Sequence, residues 1–422
     1  MLQSLIQQLG EGVSLTPEQV VLAVGQLVEE QVPVTEKATF LAALAAKGET
    51  VEEIAAFATE LRAKSITPPL DEETRAREIL DVCGTGGDRL NTFNISTTVA
   101  ILCAAAGITV AKHGNRAVTS QAGSADVLEA LGVRVDLPPE EAARSLRERK
   151  FAFFFAPHYH PVFKHLSAAR KVCAERGQRT VFNILGPLLN PARPTAQLVG
   201  VPRPALCEPM ARVLQSLGVR RGMVVAGRVA LAQPPLGARI NAQIPSEQLR
   251  VIGLHGEMMG VMTKARAISL AKSRQLDIIE VGADAVPPIC RMMNYSNYLK
   301  AAKGVSSEPT HLDELSTLGP NTIAEFYQDR GFSVTEMEVE HFPLQPATLS
   351  HLAGADKRAN AEIVRRILHG KERGPKRDAV LLNAAAALFV AGKVKALMDG
   401  WELASELLDN GTAEHKLAEL AG

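Results

Sequence analysis

The sequence predicts an α/β protein: a small N-terminal helical domain, then a mainly parallel-sheet α/β domain, with a further small α/β domain inserted into the second. Three observations carry this. Capped helical segments fill residues 1–70. Strand-like and helix-like runs then alternate from Ile79 to about Gly227, the pattern of a parallel sheet covered by helices on both faces. Between two spacer-like stretches, residues 239–303 hold a complete strand and helix pattern of their own. The expected domains are therefore 1–70, 71–228 together with 311–422, and 239–303.

The helical signals are local. Thr16, Pro17 and Gln19 read as an N-cap, a proline at the first helical position and a capping-box partner, ahead of an apolar face of Val20, Val21, Val24, Leu27 and Val28. Thr35 and Thr50 repeat the pattern, Thr50 with Glu53 three residues on, and Gly48 closes the helix before it. With 422 residues, 46% apolar, 22% charged and no net charge, the whole chain points to neither nucleic acid nor membrane. Five scattered cysteines without metal-type spacing read as reduced thiols, and the first residues lack a secretion signal, so a cytoplasmic location is expected.

In the α/β region, strands are expected at 79–83, 108–112, 151–155 and 223–226, with helices at 125–131 and 162–175. Later segments read as a helix at 321–326, a strand at 332–339, a helix from 354 to His369, a turn at 374–378 and a buried helix at 379–391. Ligands of such sheets sit beyond the carboxyl ends of the strands.

The stretch Asp81–Thr98 lies at such an end. Gly84, Gly86 and Gly87 allow a sharp turn and close backbone approach, and a helix starting near Ser96 aims unpaired N–H groups at the same place. That is a phosphate cradle, or an unliganded glycine turn; Asp88 beside it suits sugar hydroxyls or a metal. After the next strand, Lys112-His-Gly-Asn-Arg-Ala-Val-Thr-Ser120 with Ser124 supplies two cations, an amide and hydroxyls, the groups polyphosphate wants. A third cluster holds His158, His160 and His165, with no carboxylate nearby in sequence, and reads as a pocket wall rather than a metal site. Arg170 follows it, a fork-shaped donor suited to a carboxylate.

Together, Cys-Gly-Thr-Gly-Gly-Asp (83–88), Asn-Ile-Ser-Thr (94–97), Lys-His-Gly-Asn-Arg (112–116), Phe-Asn-Ile-Leu-Gly-Pro-Leu-Leu-Asn-Pro (182–191) and Leu-Asp-Glu-Leu-Ser (312–316) closely resemble the anthranilate phosphoribosyltransferase family, of the nucleoside phosphorylase/phosphoribosyltransferase fold type. The resemblance implies that Gly84, Gly87, Asp88, Thr92, Asn94, Ile95, Ser96, Thr97, Lys112, His113, Gly114, Asn115, Arg116, Ala117, Val118, Thr119, Ser120 and Ser124 bind phosphoribosyl pyrophosphate. It implies that Ser96, Asp313 and Glu314 hold Mg2+, that Asn115 and Arg170 contact anthranilate, and that Lys112 faces the leaving pyrophosphate. A homodimer through the helical domain is a further implication.

Residues 239 to about 300 resemble the N-terminal domain of bacterial translation initiation factor three, with Asn294-Tyr295-Ser296-Asn297 where that family usually has Asp-Tyr-Gly-Lys. Strands are expected at 249–252, 258–262 and 276–281, helices at 263–273 and after Pro287-Pro288, and linkers at 233–237 and 304–309. This segment carries net charge +4 and the remainder −4. The alternative reading is therefore a scaffold or bifunctional protein binding the small ribosomal subunit or RNA through Arg239, Arg250, Arg291, Tyr295 and Lys300.

Overall fold

The computed structural model describes residues 2–88, 90–117, 121–229, 238–254, 257–283, 285–295, 298, 310–329 and 331–422. Val118, Thr119, Ser120 and Lys300, and the expected linkers at 233–237 and 304–309, lie outside them.

Four helices come first: α1 (Leu2–Gly10), α2 (Pro17–Val28), α3 (Val34–Lys47) and α4 (Val51–Ala63). Both predicted capping boxes form, and Gly48 ends α3 at φ +87°. The Glu53 carboxylate is fully buried because it accepts from Thr50 N, Leu15 N and Lys47 Nζ at 2.9, 2.8 and 2.7 Å. Thr35 is not a cap. Pro33, at φ −57°, stands at the start of α3 instead, and the Thr35 carbonyl accepts the Thr39 hydroxyl inside the helix.

The chain continues through α5 (Glu72–Ala76), β1 (Ile79–Gly84), α6 (Ile95–Ala105), β2 (Thr109–Gly114), α7 (Ser124–Ala130), α8 (Pro139–Arg149), β3 (Phe151–Phe155), α9 (Ala156–Tyr159) and α10 (Ser167–Glu175). Then follow β4 (Ala196–Gly200), α11 (Cys207–Ser216) and β5 (Arg221–Val229). The expected helix at 162–175 is two pieces, a 3-10 turn Pro161–His165 and α10, separated at Leu166.

Strands β1 to β5 are parallel, ordered β5-β4-β1-β2-β3. Successive strands run outward from β1 on one side, while the chain returns on the other with β4. The topological switch point therefore lies between β1 and β4, where such sheets bind ligands. Strand β4 had no counterpart in the sequence reading.

One face of the sheet packs Val82, Leu198 and Met223 against α6 and the C-terminal helices. The other packs Val199 and Val224 against α11 and the helical bundle. Two-sided burial explains the continuous apolar runs.

The stretch expected as an inserted domain contains β6 (Gln248–Ile252), β7 (Met258–Thr263), α12 (Lys264–Ser273), β8 (Asp277–Gly282) and β9 (Ile289–Met293). They form a separate sheet, β7-β6-β9-β8, whose core includes Leu249, Val251, Ala267, Ala271, Ile278 and Met292. The expected helix at 263–273 forms as α12, with Thr263 as its N-cap. The helix expected after Pro288 is first a strand: β9 is held on both sides, parallel to β6 and antiparallel to β8, and helical residues begin only at Tyr295.

The host sheet resumes with β10 (Thr310–Leu312), β11 (Asn321–Tyr327) and β12 (Gly331–Met337), followed by α13 (Lys357–Leu368), α14 (Pro375–Val390), α15 (Leu397–Asp409) and α16 (Thr412–Ala421). The expected helix at 321–326 is the antiparallel strand β11. Its ladders to β5 and β12 occupy both edges and outweigh the helical preference of its Ala and Glu. The expected turn at 374–378 is instead the first turn of α14, with Pro375 at its first position.

At the centre of the sheet, Asp81 of β1 is fully buried and accepts from Asn190 Nδ2 at 2.8 Å and His113 N at 3.4 Å. Burial pushes its carboxyl up to about 6, although Lys112 and these bonds pull it down. Between its ordinary value of 3.8 and about 6, the folded protein holds a proton that the unfolded chain has released, so stability falls as pH rises through that window. Replacing Asp81 with Asn should flatten the profile. Urea melts from pH 4 to 7 should show a wild-type loss larger by up to about 3 kcal/mol; identical slopes would exclude Asp81 as the source.

Candidate active site

β1 ends at Gly84, and Gly86 and Gly87 follow with φ +75° and +85°, conformations that glycine adopts freely. This turn meets Asp313, which comes from far along the chain: Gly86 N donates to Asp313 Oδ2 at 2.6 Å. A Cβ on Gly84 would stand 2.3 Å from the same oxygen, so the glycine is required. At the first turn of α6, Ser96 N donates to Glu314 Oε1 at 3.2 Å. The acidic pair therefore bridges the glycine cradle and the helix N-terminus, two groups of N–H donors.

The cleft has a volume of about 410 Å³. Gly84, Gly87, Asp88, Thr92, Asn94, Ile95, Ser96, Thr97, Lys112, His113, Gly114, Asn115, Arg116, Ser124, Asp313 and Glu314 line it, all of them sites expected from sequence. Ala117 lies just outside the lining, its N–H held by Asp126. Arg170 is also outside, its guanidinium 5.3 Å above the Phe182 ring.

Individual side chains have settled environments. Lys112 is buried and donates to Val82 O at 2.7 Å, with Asp81 and Glu314 close enough to feel its charge. Arg116 is turned toward α7, paired with Glu129 at 2.6 Å and Asp126 at 3.3 Å, so its charge is already shared. Asn115 Oδ1 accepts Arg116 N at 2.7 Å. Burial drives the His113 imidazole down to about 3 and His160 to about 4, leaving both neutral near pH 7. Their rings meet edge to face at 5.2 Å, while His160 stacks on Phe163 and His158 packs on Phe155. Of the histidines, His113 lines the cleft, while His158, His160 and His165, expected as a pocket wall, lie outside its lining.

The acids are strongly perturbed. Burial, with Asp88 and Glu314 alongside, holds Asp313 well above the usual carboxylate range. Burial raises Glu314 to about 7 despite the nearby Lys112. Asp88 Oδ2 is buried and meets no hydrogen-bond donor among the described residues. Neighbouring carboxylates, one of them with an unpartnered oxygen, next to a serine hydroxyl fit a hard divalent cation, which would relieve their repulsion. Among the described residues no three His, Cys, Asp or Glu side chains converge as a preformed metal cage. The set suits an ion that keeps few protein ligands and completes its shell with substrate phosphate.

The structure adds residues that the sequence reading missed. Asn360, near the start of α13, donates to Asn94 Oδ1 at 3.0 Å and fixes that side chain; Asn94 Nδ2 reaches Ala122 O. Asn190 ties Asp81 to Ala111 O at 2.7 Å, linking β1 and β2 behind the cradle. Arg179 donates to Gly87 O at 2.9 Å. None lies near its partner in sequence, so local pattern held no signal of them.

Within residues 239–303, Arg239 is paired with Glu280 at 2.5 Å, and Arg291 is buried, donating to Leu254 O at 3.2 Å. Tyr295 stacks on Tyr298 with centroids 5.7 Å apart. Arg250 remains exposed. Two of the expected RNA contacts thus serve the segment's own structure.

Comparison with known proteins agrees with this geometry. Residues 76–271 and 295–414 match the glycosyl transferase family a/b domain, and residues 3–65 its helical bundle domain. Residues 240–305 match the N-terminal domain of translation initiation factor IF-3. Anthranilate phosphoribosyltransferase of Petrotoga mobilis is 36% identical, the match covering 98% of this chain and 94% of the relative; that of Geobacter sulfurreducens is also 36% identical, covering 100% and 98%. The crystal structure of the Thermus thermophilus enzyme superposes with a TM-score of 0.72 at 32% identity, over 99% of this chain and 98% of that one. The Saccharomyces cerevisiae enzyme in complex with phosphoribosyl pyrophosphate and magnesium shares the fold, with a TM-score of 0.70 at 22% identity, over 99% and 96%. The chain belongs to the anthranilate phosphoribosyltransferase family of glycosyl transferases.

Proposed function

We propose that the protein transfers the phosphoribosyl group of phosphoribosyl pyrophosphate to the amino group of anthranilate, a step of tryptophan biosynthesis. The observation that carries this reading is the meeting of the glycine cradle and the α6 N-terminus with the acidic pair Asp313–Glu314. In the reaction the bond from the anomeric carbon to the pyrophosphate oxygen breaks, a bond to nitrogen forms, and the amine loses a proton. An aryl amine already has a usable lone pair, so no covalent nucleophile is needed, and the work is positioning and charge stabilisation.

Ser96, Asp313 and Glu314 would hold Mg2+, which when bound neutralises charge on the pyrophosphate oxygens. The backbone N–H groups around Gly86 and Gly87 and the first turn of α6 would bind the phosphates, Asp88 the ribose side, and Lys112 would face the departing charge. His113, His160 and Phe163 would wall off the aromatic ring. Asn115 and Arg170 would bind anthranilate, with Arg170 approaching its carboxylate from beside Phe182.

We propose the domain division 1–70, 71–228 with 311–422, and 239–303, and a homodimer through the helical domain, where Val13, Val21, Leu22 and Val34 are exposed. Among the described residues no helix is long and apolar enough to cross a membrane, and we propose a cytoplasmic location.

Purified protein should consume anthranilate fluorescence only when phosphoribosyl pyrophosphate and magnesium are both present; no loss at high protein concentration would refute the activity. Arg170→Ala should raise the anthranilate KM by about 10- to 100-fold, the loss of one charge-assisted hydrogen bond, and leave the KM for phosphoribosyl pyrophosphate nearly unchanged. The reverse pattern would remove Arg170 from the anthranilate site. Replacing residues 230–309 with a short glycine-serine turn should preserve turnover and its magnesium dependence. Any cosedimentation with small ribosomal subunits should disappear with the same replacement; binding retained without the segment would place that contact elsewhere.

A further inference from the structure

Directly after Glu314 the backbone is held by two buried side-chain amides. Asn383, in the middle of α14, accepts from Leu315 N at 2.9 Å and donates to Leu315 O at 2.9 Å. The second proton of its amide goes to Ala379 O, also at 2.9 Å. Asn321, the first residue of β11, does the same one residue further on: it accepts from Ser316 N at 2.7 Å and donates to Ser316 O at 3.0 Å and Gly319 O at 3.2 Å. Both side chains are fully buried.

Each amide thus imitates one rung of a β-ladder, supplying both a donor and an acceptor to a single residue of an irregular segment. Each oxygen accepts one bond and each nitrogen donates two, so an amide flip would set N–H against N–H and C=O against C=O. The backbone of 315–316 therefore has one orientation, in a fully buried place where unpaired polar groups would be costly.

We infer that Asn383 and Asn321 are positioning residues for the acidic pair. They act through the backbone, touching neither substrate nor cation, and set the direction from which Asp313 and Glu314 present their oxygens. The inference rests on the reading that this pair holds a divalent cation. It assigns a task to α14 and β11, whose other residues serve the core, and it makes cation affinity depend on amides 68 and 5 residues away from their partners.

The test measures metal binding directly. Electron paramagnetic resonance titration of Mn2+ against the full-length protein with phosphoribosyl pyrophosphate should show affinity weakened by about 10-fold or more in Asn383→Ala and Asn321→Ala, the range seen when residues supporting metal ligands are removed. At saturating metal, kcat should fall less than the Mn2+ affinity does. Leu214→Ala, a buried position within α11 and outside the cleft lining, should lower Tm while leaving Mn2+ affinity unchanged. Asp313→Asn is the control for the underlying reading. Unchanged Mn2+ affinity in that variant would overturn the metal assignment itself, whereas loss in Asp313→Asn but not in a folded asparagine variant would overturn the positioning role alone. Should Asn383→Ala not fold, Asn383→Ser keeps a small polar group at the same place. Failure of every asparagine variant to fold would assign the amides to the core and also overturn the inference.

Discussion

The site depends on one close crossing. The segment Asp313–Ser316 passes over the carboxyl ends of β1, β4 and β5, and three glycines make room for it. A Cβ on Gly200 would lie 1.6 Å from Asp313 O, one on Gly84 2.3 Å from Asp313 Oδ2, and one on Gly227 2.4 Å from Glu314 O. Backbone and side-chain atoms of the acidic pair occupy the space that three side chains would fill. No other residue type fits at these strand ends, because the contacts at Gly200 and Gly227 are with backbone, which cannot move aside as the tip of a side chain can. The crossing brings carboxylates to the switch point of the sheet, where the glycine turn after β1 and the N-terminus of α6 already converge.

Placing those carboxylates there creates an electrostatic problem that the protein alone does not solve. Asp88, Asp313 and Glu314 stand together, and Lys112, the buried cation near Glu314, also answers to Asp81. Arg116 is held by Glu129 and Asp126. A pyrophosphate entering this side of the cleft would meet more negative than positive charge. Burial above all, with Asp88 alongside, raises the proton affinities of Asp313 and Glu314, and a divalent cation bound there would favour their charged forms. The N–H groups around Gly86 and Ser96, which bond the acids directly, show that the same geometry suits anions.

The legible part of this arrangement is the part carried by contiguous residues. The turn at 84–88 and the loop at 112–116 announce themselves because the glycines, hydroxyls and cations lie side by side, and they do face one cleft. Capping boxes at Thr16 and Thr50 were legible for the same reason. What was illegible came from pairing across distance. Residues 321–326, where a helix is expected, form a strand because β5 and β12 offer both edges. Residues 289–293 became a strand between β6 and β8 in the same way. Asn190, Asn360 and Asn383 look like ordinary asparagines in sequence, since what defines them is a partner that only the folded chain supplies.

The same logic applies to the roughly eighty residues, 230–309, that separate β5 from β10 ahead of the acidic pair. Thr310 pairs with Val229, His311 with Arg228 and Leu312 with Gly227, so the chain leaves and returns at one rung of one ladder. An insertion whose ends are already neighbours adds a loop to close but asks no displacement of the frame that closes it, and the entropy of closure grows only slowly with length. Past β10 the chain is fixed again within a few residues, by the crowding at Gly200 and Gly227 and by the amides of Asn383 and Asn321. Asp313 and Glu314 are thus held from both sides, by a β-ladder before them and side-chain rungs after them. Their orientation is set by the larger sheet, and the second sheet, with its own core, lies beyond the last rung and lines no part of the cleft.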